Sequence, residues 1–206
     1  MSDIEVEARA LLSPAQRESM LDYMRTLGEV QEISRVMIDF SGEDRERTVA
    51  LRVNNGRQQL IAKTGSLTDT VRTEAMVPVE AQNSLEQTLN YLAVMGYSQG
   101  MLSLRHMFVV KTGELEYSVR DVLAHNTLER VSTLLDIEAL NVAEGDEQAA
   151  KQRVYVAFAA HELSPLSEIE WTQWVRETYE QVDRPFENSP GSARSLASSL
   201  TNFTQA

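Results

Sequence analysis

Ile4-Glu5-Val6-Glu7-Ala8-Arg9-Ala10 is the stretch on which the fold turns. Charged and apolar residues alternate at a period of two, so an extended chain sets Glu5, Glu7 and Arg9 on one face and Val6 and Ala8 on the other. Alone, such a face reads as an exposed edge strand, where charge guards against edge-to-edge pairing. Turned inward, its carboxylates would need cations or hydrogen bonds, because an unpaired buried carboxylate is costly.

Working outward, Ser13-Pro14 supplies a helix cap and a proline for the first helical position. The apolar spacing of Met20, Leu21, Met24 and Leu27 predicts an amphipathic helix to Gly28. Strands are predicted at Ile33–Phe40, Arg47–Val53, Gln58–Lys63 and Val71–Val79, with Asn54-Asn55-Gly56 as a tight hairpin turn. A second helix is predicted over Ser84–Met95. Strands follow at Met101–Lys111 and Leu115–Val122, joined across Thr112-Gly113, and then at Thr133–Val142. Helical spacing returns over Glu147–His161, and Ser164-Pro165 is expected to open a last helix carrying Ile169, Trp171, Trp174, Val175 and Tyr179.

Charged residues recur along these strands. Arg52, Lys63, Arg72 and Arg105 each fall in a different one, and Asp136-Ile137-Glu138 repeats the acidic alternation near the end of the sheet region. If the sheet curls so that these faces turn inward, its lumen holds carboxylates suited to metal and cations suited to phosphate. The expected fold is therefore α+β: a single domain built on an antiparallel, closed or nearly closed eight-stranded β-barrel, a tunnel decorated by helices. It spans 1–182, and 183–206, rich in Ser, Asn, Gly, Thr and Ala, is expected to be a flexible C-terminal tail. No GxGxxG or Walker-type loop and no internal repeat is present, which disfavours doubly wound nucleotide folds.

Composition narrows the function. The 206 residues carry a formal charge of −12, from 19 basic and 31 acidic side chains, so a nucleic acid duplex is a poor partner. There is no cysteine, which excludes disulfides and thiolate metal sites and suits a reducing compartment. The acidic stretch MSDIEVEARALL does not read as a secretory signal, and no apolar run approaches a membrane span. Cytoplasmic localisation and no membrane partner are the expectations. His106, His125 and His161 are scattered without metal spacing, and Trp171 and Trp174, at helical spacing, read as packing.

The order of motifs resembles the CYTH, or triphosphate tunnel, family. That family runs E-x-E-x-K, an arginine strand, a lysine strand, R-x-E-x-E, a helix, K-x-R and a late E-x-E. In this chain the matching segments are EVEAR (Glu5 to Arg9), VALRV (Arg52), QLIAK (Lys63), RTEAM (Arg72 to Met76), SLRHMF (Arg105) and LLDIEAL (Asp136 and Glu138). The resemblance covers roughly Asp3 to Tyr179. Arg9 stands in place of the lysine, Ala50 of the first arginine, Met76 of a glutamate, Ser103 of a lysine and Asp136 of a glutamate. Arg9 and Asp136 keep charge; Ala50, Met76 and Ser103 do not.

The resemblance implies a metal-dependent phosphohydrolase acting on inorganic triphosphate, thiamine triphosphate or a nucleoside triphosphate. It assigns catalysis to Glu5, Glu7 and Arg9, phosphate binding to Arg9, Arg52, Lys63, Arg72 and Arg105, and Mg2+ or Mn2+ to Glu5, Glu7, Glu74, Asp121, Asp136 and Glu138. For Asp121 the register is open. Strict alternation puts Glu116, Ser118 and Arg120 on the polar face, so either a bulge turns Asp121 inward or Arg120 faces the lumen instead. Alternatives of the same ancestry are an adenylate cyclase and a module that binds polyphosphate or nucleotide without turnover. Arg9 favours the latter, since a guanidinium cannot accept a proton where lysine can. A barrel whose polar face is merely solvated is a third reading. The partner expected is a triphosphate-containing small molecule, and a homodimer is left open.

Overall fold

The computed structural model describes residues 3–40, 47–64, 71–80, 84–125, 127–182 and 184–200. In chain order the elements are β1 (Asp3–Leu11), α1 (Pro14–Leu27), β2 (Gln31–Asp39), β3 (Arg47–Asn54), β4 (Arg57–Thr64), β5 (Val71–Pro78) and α2 (Leu85–Val94). They continue with β6 (Gln99–Lys111), β7 (Leu115–Leu123), β8 (Arg130–Val142), α3 (Glu147–Ala159), α4 (Glu168–Gln181), β9 (Arg184–Glu187) and α5 (Pro190–Leu200).

Local chemistry sets several boundaries. Ser13 and Gln16 form a reciprocal capping box at the start of α1, with Pro14 in its first turn. Between β3 and β4, Asn55 and Gly56 both take positive φ, 44° and 79°, the pair of values that a two-residue hairpin of matching twist requires. The last long helix starts later than Ser164-Pro165 suggests. Ser167 and Glu170 form its capping box, and Leu166 donates its N–H to the Arg9 carbonyl at 2.7 Å, which holds the preceding residues extended against β1.

Eight strands run in the order β2-β3-β4-β5-β1-β8-β7-β6, every neighbour antiparallel, and β2 pairs β6 as well as β3. The sheet curls on itself, but one seam is short. β1 meets β5 over four register pairs, Asp3 with Glu74 to Val6 with Val71, and its remaining paired residues, Glu7 to Leu11, are matched to β8 alone. The antiparallel eight-strand sheet is as expected; its closure is partial, a curled half-barrel rather than a sealed tunnel.

The hydrophobic core lies outside this curl. Val6, Ala8 and Ala10 of β1, with Tyr117, Val119, Leu135 and Ile137, pack beneath α1 and α3, against Met20, Leu21, Met24, Val154 and Phe158. On another side Val36, Ile38, Leu51, Val53, Leu102 and Leu104 pack beneath α2 and α5. Period-two alternation thus sends apolar side chains out under helices and charged ones into the lumen.

The expected mobile tail departs from this description over its described part. β9 pairs Arg184–Glu187 with Leu102–Gln99, a part of β6 that β7 does not reach. Phe186, Ala193 and Leu196 are buried with Leu89 and Leu92 of α2. The Asn188 side chain donates to the carbonyls of Leu89 and Tyr97, both at 2.9 Å. Three spaced apolar residues and one asparagine dock the segment despite its polar composition. No helix among the described residues is long and apolar enough to cross a membrane.

Candidate functional site

A cavity of about 420 Å³ occupies the lumen of the curled sheet. Its wall takes alternate residues from every strand of the curl: Glu5, Glu7 and Arg9 from β1; Arg35, Met37 and Asp39 from β2; Ala50 and Arg52 from β3; Lys63 from β4; Glu74 and Met76 from β5. β6 adds Arg105 and Met107, β7 adds Glu116, Ser118 and Arg120, and β8 adds Asp136 and Glu138. The alternation read from the sequence therefore assembles one site from segments far apart in the chain. The three histidines take no part in the lining.

Ion pairs organise the lumen. Lys63 Nζ bridges Glu5 (2.6 Å) and Glu74 (2.7 Å) across β1, β4 and β5. Arg9 pairs with Glu7 and lies 3.2 Å from Asp136, whose other oxygen accepts from Arg120. Such pairing explains how Glu5, Glu7 and Asp136, each less than a tenth exposed, are accommodated. At Glu138, burial, then repulsion from Glu5 and Glu116, pushes the pKa up to about 7. On the other side of the lumen, burial lowers the pKa of Arg52. Burial, with the nearby charges of Arg52 and Arg120, lowers that of Arg35 well below the usual guanidinium range. Acidic side chains thus predominate on β1, β5 and β8 and guanidinium groups on β3, β2, β6 and β7, with Arg9 set among the first and Asp39 and Glu116 among the second.

Two further observations refine the expected site. Asp121 is not in the lumen. It faces outward, where its carboxylate accepts from Arg17 of α1 at 2.6 and 2.9 Å and from Thr133 Oγ1 at 2.7 Å. The one irregularity in the β7–β8 pairing lies beyond it, at Val122/Leu123, so strict alternation holds and Arg120 takes the inward position. Arg72 sits opposite Glu5 in the β1–β5 register, but its side chain lies outside the described residues. Arg35 and Asp39 were not among the expected site residues, although Arg35-Val36-Met37-Ile38-Asp39 carries the alternation that marks β1.

α4 closes one side of the lumen. Trp171, Trp174, Val175 and Thr178 line the cavity, the two indoles stack at 4.9 Å, and the Arg9 guanidinium lies 4.6 Å over Trp171. The tryptophans pack, as their spacing suggests, and the surface they pack against is the wall of the site.

The donor set suits a hard divalent cation in kind: Glu5, Glu7, Glu74, Asp136 and Glu138 all offer carboxylate oxygens into one cavity. Among the described residues, no three acidic or imidazole side chains already converge as a metal site. Lys63, Arg9 and Arg120 stand between them, so metal would exchange places with protein cations, and at Glu138, crowded by other acids, added positive charge is favoured.

No family model and no curated protein matches the chain. Solved structures do. The chain superposes on the PH1819 protein of Pyrococcus horikoshii with a TM-score of 0.59 at 16% identity, over 83% of this chain and 99% of that one. A chain of the Schizosaccharomyces pombe Mediator head module gives 0.59 at 10% identity, over 77% and 96%. The bh2851 protein of Bacillus halodurans, a candidate adenylate cyclase, gives 0.50 at 11%, over 80% and 93%. At such identities the likeness is one of fold: the chain shares the curled antiparallel sheet of these proteins, with its ordered charged motifs on the inner face.

Proposed function

We propose that the lumen binds the triphosphate group of a small molecule and, with Mg2+ or Mn2+, hydrolyses it. One observation carries this reading: a basic group of side chains and an acidic group face each other inside a single cavity. A site for a polyanion alone has no use for seven inward carboxylates, which repel phosphate. A site for a metal-bound polyanion needs both. Glu5, Glu7, Glu74, Asp136 and Glu138 would hold the metal, which when bound supplies charge neutralisation and orientation of a water nucleophile. Arg52, Lys63, Arg105 and Arg120 bind and orient the phosphate oxygens. α4, through Trp171 and Trp174, excludes water from one side of the lumen.

A second reading, binding without turnover, is supported by Ala50 and Met76, uncharged lining residues where the resembling motifs carry charge. Arg9 supports it too, held between Glu7, Asp136 and Trp171 as a fixed cation rather than a proton acceptor. Incubation with Mg2+ or Mn2+ and a panel of triphosphates separates the two. Phosphate, pyrophosphate and cyclic nucleotide release are measured beside a Glu5→Gln/Glu7→Gln double variant. Phosphate release lost in that variant supports hydrolysis, cyclic nucleotide release would reassign the chemistry to cyclisation, tight binding without release supports the module, and neither binding nor release sinks both.

A further inference from the structure

We infer that Arg35, on a strand to which the motif resemblance gives no role, is a phosphate-binding residue that extends the basic wall of the lumen; this rests on the triphosphate reading above. The geometry begins with register. Arg35 of β2 is the direct cross-strand partner of Arg105 of β6. On the other side of β2, Arg52 of β3 is opposite Met37, two residues along the same inward face as Arg35. Arg120 of β7 is opposite Met107 of β6, again two residues from Arg105. Four guanidinium groups from four consecutive strands therefore line one arc of one cavity.

Like charges directly opposite one another in a sheet are destabilising. The charges of Asp136 and Glu116 offset that cost for Arg35 only in part, and without contact: its Nε donates to the neutral Asn54 Oδ1 at 2.9 Å, and among the described residues no ion pair joins it or Arg52 to an acid. Arg52 Nε and Ser118 Oγ on the same wall are buried without a hydrogen-bond partner among the described residues. Donors left unsatisfied beside clustered guanidiniums are what an oxyanion would satisfy. Burial and the charges of Arg52 and Arg120 also make a bare Arg35 cation unfavourable, in the same sense.

The discriminating measurement is tripolyphosphate binding by calorimetry, with thermal unfolding in the presence and absence of ligand. Arg35→Gln, Arg35→Lys and Arg52→Gln are compared with the unsubstituted chain. A residue that only packs lowers the melting temperature of the ligand-free protein when replaced. A ligand residue held against repulsion does the reverse. For Arg35→Gln we expect the ligand-free melting temperature unchanged or raised, the ligand-induced rise reduced, and affinity weakened at least tenfold, with Arg35→Lys recovering part of it. If the unsubstituted chain binds, Arg52→Gln weakens binding, and both Arg35 variants bind within about twofold of it, the inference is overturned and the triphosphate reading stands. If Arg35→Gln does not fold, Arg35→Lys carries the test: full affinity with lowered ligand-free stability gives Arg35 a structural role and overturns it. Absence of binding by the unsubstituted chain overturns the reading and the inference together.

Discussion

Glu138 shows how the lumen couples protonation to stability. Its pKa is raised to about 7 by burial and by Glu5 and Glu116, above the value near 4.5 of an unperturbed glutamate. An acid whose pKa rises on folding is bound to a proton more in the folded state. Its stabilising contribution is therefore complete below about pH 4.5 and is lost as the pH rises through about 7. At ~1.4 kcal/mol per pKa unit the loss is at most about 3.5 kcal/mol. Denaturant unfolding without metal should show stability falling over this window, and Glu138→Gln should flatten that fall. An unchanged slope in Glu138→Gln would exclude Glu138 as the titrating group. Divalent metal competes with the same proton, so its affinity should increase through the same window, measurable by calorimetry at pH 6 and pH 8. At this scale much of the site was legible: Glu5, Glu7, Arg9, Arg52, Lys63, Glu74, Arg105, Asp136 and Glu138 all line the lumen because period two is a local property of an extended chain. Arg35 was missed because Met37 separates it from Asp39 on their shared face and Glu32 falls on the opposite one, so the alternation gains weight only when β2 is known to lie beside β6.

Among elements, α1 explains the fate of Asp121. A carboxylate on the outer face of β7 would be costly beneath a helix without a partner, and α1 provides one in Arg17. Both side chains are nearly buried, and the pairing raises the Arg17 pKa, mainly through its hydrogen bond to Asp121. The Arg17 guanidinium also lies 5.2 Å over the Phe108 ring, so one residue ties α1 to β6 and β7. Without Asp121, Arg17 keeps only its pair with the exposed Glu18, so the loss falls at the low end of the cost of breaking a buried pair, about 3 kcal/mol. Asp121→Asn should therefore lower stability by that order in chemical denaturation and leave metal and tripolyphosphate affinity unchanged. A metal ligand would show the opposite pattern, with affinity lost. Nothing in Arg120-Asp121 by itself decides which side chain turns inward. The decision is made by the β7–β8 register, which stays regular until Val122/Leu123, and a register is a relation between strands. Helix starts divide on the same principle. The cap at Ser13 was readable from local residues, and the helix predicted from Ser84 begins at Leu85, with Ser84 as its cap. The start of α4 moved from Ser164 to Ser167 because Leu166 is tied to the Arg9 carbonyl, a contact far away in the chain.

For the molecule as a whole, the inverted arrangement has a consequence for its C-terminal segment. With charged side chains filling the lumen, stability has to come from the outer faces of the sheet, and each face is only as well buried as the helices that cover it. α1 and α3 cover one side; α2 covers the other with α5, which joins it over β2, β3 and β6. Residues 184–200 are therefore part of a core layer, although small and polar residues dominate them and suggested a mobile tail. Composition averages over a segment, whereas docking depends on Phe186, Ala193 and Leu196 meeting Leu89 and Leu92, which only the folded barrel brings within reach. Replacing Phe186, which is 6% exposed, by alanine should cost about 3–5 kcal/mol. At roughly 2–4 °C per kcal/mol for a chain of this size, the melting temperature should fall by about 10 °C. Removal of residues 184–206 should cost more, because the pairing of β9 with β6 and the Asn188 bonds to Leu89 and Tyr97 are lost as well. Calorimetry distinguishes this from a dispensable tail: the truncated chain should melt in one lower transition, with α2 loosened along with the barrel. A truncated chain that melts within about 1 °C of the full one would show that the outer layer is complete without α5, and that α2 alone suffices to bury Val36, Ile38, Leu102 and Leu104.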